Sequence, residues 1–97
     1  MEAYREKAWF EYRVGNNDQL AEKHEAAYKK SLTTNRAIKV HSGCYYYRGW
    51  ELNDDGYARD YKWSYENPYE YDSKEWASTM AKAKEYIDWI IEHKRNS

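Results

Sequence analysis

Aliphatic side chains are scarce: the chain has three Leu, four Ile and two Val, with one Phe beside them, in 97 residues. So thin a stock ordinarily marks a chain with too little apolar surface to fold. Cys44 is the single cysteine, which excludes an internal disulfide and predicts a reducing, cytoplasmic setting. The four glycines never cluster, which excludes phosphate-cradling loops of the P-loop or dinucleotide type. No apolar run approaches the roughly 18 residues needed to span a membrane. The opening Met-Glu with no apolar segment behind it predicts no signal peptide.

Rings stand where the leucines do not. Aromatic residues make up 19% of the chain, including 12 Tyr and 5 Trp, and the formal net charge is only -1. Each ring can bury roughly 150–250 Å², so a single domain over 1–97 is expected to fold around them. Tyrosine must keep its hydroxyl wet or bonded, which predicts many half-buried rings at edges and grooves. Interfaces are enriched in such rings.

The small net charge hides a local imbalance. From Glu51 to Glu75 there are eight acids against three bases, Arg59, Lys62 and Lys74. An acidic, tyrosine-laced middle suits a basic protein partner better than a phosphate backbone.

Helical periodicity dominates the first third. Ala8, Trp9 and Tyr12 continue the spacing set by Ala3 and Tyr4, and Gly15-Asn16-Asn17 ends the run. Asp18 can cap a second helix through Leu20, Ala21, His24, Ala27 and Tyr28 to Ser31. The expectation is a helical hairpin over 1–32, with a strand over Trp9–Val14 as the alternative. Antiparallel strands are expected over 36–66. Ile38 and Val40 alternate with polar residues, Cys44 to Leu52 is rich in tyrosine, and Asn53-Asp54-Asp55-Gly56 supplies turn chemistry. Tyr57, Tyr61, Trp63 and Tyr65 then mark one face of a return strand. The overall class is α+β, with a small antiparallel sheet of two or three strands.

A C-terminal helix is expected over 72–95, opened by a capping box of Asp72 and Glu75, with Ser73 as the competing cap. At 100° per residue, Met80, Ala83, Ile87, Ile90 and Ile91 fall on one stripe with Trp76. That stripe should pack on the sheet, with Met80, Ile87 and Ile90 against Tyr61 and Trp63. Trp89 falls on the opposite side of the helix. It meets either a partner or the N-terminal hairpin, and the sequence leaves both open.

No residue pattern points to catalysis or to a cofactor. His24, His41 and His93 lie in three different elements without ligand spacing. His41 and Cys44 stand three apart, but a zinc site wants four ligands and no second pair is visible; no metal is expected. Cys44 is expected to be a buried structural thiol. Nucleic acid is a weaker fit, because Lys and Arg pairs are few and the aromatic sheet face is claimed by the helix.

The stretch from Tyr46 to Ile91 resembles small phage- and prophage-encoded proteins. The resemblance rests on Tyr47-Arg48-Gly49-Trp50, Lys62-Trp63-Ser64-Tyr65, Tyr69-Glu70-Tyr71-Asp72 and Ala83-Lys84-Glu85-Tyr86-Ile87-Asp88. It implies a strand–strand–helix module that binds and modulates a host protein, of the anti-defence, anti-CRISPR-like kind, in the host cytoplasm. Alternatives are a single-stranded nucleic-acid binder and a small homo-oligomeric structural protein. Candidate interface residues are Trp89, Tyr86, Lys82, Tyr69, Glu70, Tyr71, Asp54 and Asp55. A host protein is the expected partner; duplex DNA and membranes are not.

Overall fold

Glycine and asparagine break the first helical run where the sequence lacks any other reason to turn. In the computed structural model, which describes residues 2–70 and 72–95 and the side chains of 8–70 and 72–93, α1 spans Glu2–Arg13 and α2 spans Asp18–Ser31. Trp9 to Arg13 is therefore helix, and the strand alternative fails. The turn uses two left-handed residues, Gly15 (φ 75°) and Asn16 (φ 66°). Asn17, one residue earlier than expected, is the cap: its Oδ1 accepts from the Leu20 amide at 3.1 Å. Asp18 instead sits in the first turn, where its negative charge interacts favourably with the positive end of the helix dipole.

The sheet is larger than the sequence suggested. It has five strands rather than two or three: β1 Ile38–His41, β2 Cys44–Tyr47, β3 Trp50–Asn53, β4 Trp63–Glu66 and β5 Glu75–Ala77. All neighbours are antiparallel, and the spatial order is the chain order.

Three local causes account for the difference. First, Cys44–Leu52 is not one strand. Arg48 (φ 51°) and Gly49 (φ 85°) both take positive φ, the signature of a two-residue hairpin turn with the twist that strands favour. The Gly49 amide donates to Ser31 Oγ at 2.9 Å, and a Cβ there would lie 2.9 Å from Leu32 Cδ2. Second, the alternation over Tyr57–Glu66 is a strand only from Trp63 onward. The Gly56 amide donates to the Lys62 carbonyl at 2.8 Å, so the chain between them loops out through a 3-10 turn, Arg59–Tyr61. Only glycine permits this closure, since a Cβ at position 56 would meet the Tyr61 carbonyl oxygen at 1.8 Å.

Third, the last helix, α3, spans Met80–Arg95 rather than opening at 72. Asp72 takes a φ of 58°, which is outside the extended conformation a cap requires. Glu75–Ala77 is claimed by β4 as an edge strand. The cap is Thr79, whose Oγ1 accepts from the Lys82 amide at 3.1 Å.

Strand alternation then sorts the side chains into two layers. Tyr47, Trp50, Leu52, Tyr65 and Ala77 are buried with Ala83 and Ile87 of α3, and Trp63, Met80, Ile90 and Ile91 pack around them. The apolar stripe of the helix and its packing with Trp63 are as expected, but Tyr61 is not a partner: it rides the 3-10 turn and is 48% exposed. On the other face, Tyr46 packs with Phe10, Ala21 and Ala27 of the helical hairpin. The sheet thus separates α3 from α1 and α2. Among the described residues, no helix is long and apolar enough to cross a membrane.

Candidate functional site

The outer face of α3 carries the first candidate. Burial of Ala83 and Ile87 against the sheet turns Lys82, Tyr86, Trp89 and His93 outward at spacings of three and four. Trp89 is 59% exposed and Tyr86 44%. The Trp89 ring stacks on His93 with centroids 3.9 Å apart, and His93 Nδ1 lies 2.8 Å from the Trp89 carbonyl. A carbonyl only accepts, so that nitrogen carries a proton and the imidazole is held flat against the indole. The hairpin lies across the sheet, so it does not cover Trp89.

The other sequence candidates do not join this surface. Tyr69 is half exposed, but its ring stands 5.3 Å from Tyr28 and 6.2 Å from Phe10, on the hairpin side. Glu70 accepts from Asn67 Nδ2 at 3.3 Å. Tyr71 lies outside the described residues. Asp54 is exposed in the loop after β3. Asp55 accepts from Ser64 Oγ at 2.8 Å and faces Lys74 Nζ at 3.7 Å. The structure gathers Lys82, Tyr86 and Trp89 and scatters the other described candidates.

A second constellation, of which spacing showed only His41 and Cys44, lies between the hairpin and the sheet. β1 and β2 pair His41 opposite Cys44. α2 buries His24 together with Ala21 and Ala27, directly above them. One ligand atom from each of His24, His41 and Cys44 falls within 4.8 Å of the others. Glu51 on β3 lies beside two of them, its Oε2 3.8 Å from Cys44 Sγ and 3.9 Å from His24 Nδ1. His24, Cys44 and Glu51 are buried, while His41 is exposed.

Each member is held by a neighbour. His24 Nδ1 and Tyr46 Oη are hydrogen-bonded at 2.9 Å. Asn53 Nδ2 donates to Glu51 Oε2 at 3.1 Å. Arg13, at the end of α1, is ion-paired with Glu51 Oε1 and reaches Glu66 Oε1 at 3.3 Å. Burial works against the Arg13 charge, but the Glu51 carboxylate outweighs it, so the guanidinium stays charged.

The same environment silences the thiol. Burial, reinforced by the Glu51 charge, pushes Cys44 up to about 12. Burial also draws His24 below its ordinary value, against the pull of Glu51. Nucleophilic chemistry needs a thiolate with access to substrate; Cys44 is a protonated thiol with 1% exposure.

Beyond the His41–Cys44 spacing, the signal that could have found this group is helical. His24 stands three residues from both Ala21 and Ala27, on the face that α2 buries. The rest depends on strand register. No known protein family, curated protein or solved structure matches the chain.

Proposed function

We propose that this chain is a non-catalytic protein-binding module whose contact centres on Trp89. It is an accessory protein of the phage type that engages and modulates a host protein. The observation supporting this is the 59% exposure of Trp89 on the face of α3 turned away from the sheet. An exposed indole contributes nothing to this fold's core, whereas Trp is the commonest anchor of protein interfaces. Tyr86 and Lys82 flank it and supply a mixed aromatic and charged rim. Stacking on the sheet rings, the basis of a nucleic-acid reading, has little support, because Tyr47, Trp50 and Tyr65 lie buried under α3.

Trp89→Ala is the test. It should change folding stability by no more than about 0.5 kcal/mol while abolishing capture of the host protein that the wild type retains. A variant that still captures that protein, or that loses about 3–5 kcal/mol of stability as a buried indole would, overturns the reading. Micromolar binding to an arbitrary DNA duplex, steep in salt, would also overturn it.

A further inference from the structure

Four groups from α2, β1, β2 and β3 converge beneath the hairpin, on the opposite side of the sheet from Trp89. We propose that His24, His41, Cys44 and Glu51 form a binding site for one zinc-like divalent transition-metal ion. Nothing in the protein-contact reading requires it, and the two stand or fall separately.

The donor set selects the ion. One sulfur, two imidazole nitrogens and one carboxylate oxygen suit a borderline-soft ion that accepts four ligands, as zinc does. Calcium and magnesium want six or more oxygens. Zinc–ligand bonds of about 2.0–2.3 Å at tetrahedral angles place ligand atoms about 3.3–3.8 Å apart. Cys44 Sγ to Glu51 Oε2 at 3.8 Å is already close to that spacing, and with Nδ1 donating to Tyr46 Oη His24 keeps Nε2 for the ion. The three His and Cys ligand atoms, within 4.8 Å of one another, need to close by about 1 Å.

The surroundings also fit. His41 Nδ1 lies 3.1 Å from the Ser42 carbonyl. That carbonyl can only accept, so in the neutral ring Nδ1 carries the proton and Nε2 presents a lone pair. This is the arrangement that orients ligating histidines. Tyr46 steadies His24, and Asn53 and Arg13 fix Glu51, so the ligands are held from behind. His41 is the exposed member and gives the ion its way in. On binding, the Cys44 sulfur exchanges its proton for the ion and the proton leaves to solvent. The two charges of the ion then meet the thiolate and Glu51, while Arg13 is balanced by Glu66. No net charge is left buried.

The experiment uses the full chain, stripped with chelator and kept reduced, titrated with Co(II) alone and then with Zn(II). Cobalt should bind one ion per chain, with the visible bands of a tetrahedral site and a thiolate-to-cobalt charge-transfer band, and zinc should erase both. His41→Ala changes an exposed side chain, so the metal-free variant should melt as the wild type does. It should bind cobalt more weakly by about 10–100-fold or more. Cys44→Ser should remove the charge-transfer band. If Cys44→Ser does not fold, the wild-type band still reports the thiolate and His41→Ala still decides. Absence of that band in the wild type, or equal cobalt affinity in His41→Ala, overturns the proposal.

Discussion

Tyr47 Oη on β2 donates to Asp88 Oδ1 on α3 at 2.8 Å, tying the middle of the sheet to the helix that covers it. Arg48 Nη1 reaches the same oxygen at 2.8 Å, so one carboxylate fixes both the strand and its turn. Asp88 is 40% exposed at its side chain, and water weakens such pairs. Tyr47→Phe should therefore cost about 1 kcal/mol in urea unfolding. Asp88→Asn, which keeps an acceptor, should lose less than Asp88→Ala. Equal losses in the two Asp88 variants would mean that the bond contributes nothing.

Ile87 is fully buried at the centre of the α3 layer. Its truncation to Ala should cost about 2–5 kcal/mol by equilibrium unfolding, through lost burial and the cavity left behind. In a domain of this size that is a large share of the total margin. A loss below about 0.5 kcal/mol would mean that α3 packs by another face.

Cys44 should resist alkylation. With the thiol pushed up to about 12 by burial and Glu51, little thiolate exists near neutrality. In metal-free native protein, modification by iodoacetamide should be slower than in denaturant by on the order of a hundredfold or more. Rapid labelling without unfolding would contradict the burial of Cys44.

Tyr65 should contribute to the alkaline limit, alongside Cys44 and Tyr46, whose protons burial also holds. Burial, then the charges of Glu75 and Tyr86, push its hydroxyl up to about 12, against about 10 in an unfolded chain. The folded state therefore holds this proton more tightly than the unfolded one. Its contribution is fully present below about pH 10 and is lost as the pH climbs towards 12. Tyr65→Phe should flatten the fall in melting temperature over that window. A fall as steep as in the wild type would place the alkaline sensitivity elsewhere.

Elements that announce themselves by period and punctuation were legible in the sequence. The hairpin of α1 and α2, and the stripe Met80–Ala83–Ile87–Ile90, follow from helical spacing and from Gly15-Asn16-Asn17. The strands were harder, because each is three or four residues long and shows barely two alternations. Trp50 and Tyr47 look like one strand until Arg48 and Gly49 turn left-handed between them. Tyr57 and Tyr61 continue the β4 alternation in the sequence, yet the closure of Gly56 onto Lys62 lifts them out. Trp76 seemed to head the helical stripe but belongs to β5. Of the buried polar constellation only the His41–Cys44 spacing was legible. Its other members, His24 and Glu51, are brought in by the docking of α2 and by strand register, and linear spacing encodes neither.

The sheet grows strictly from each strand to the next along the chain, and that order bears on how the molecule assembles. Every strand finds its partner across a short connection, so each pairing closes a small loop and forfeits little chain entropy. No pairing waits on a long crossover, and contacts that are close in sequence form quickly. The meander can zip from the tight turn at Arg48-Gly49 outward in both directions. The hairpin of α1 and α2 is equally local. The chain can therefore assemble its two layers without first joining its ends.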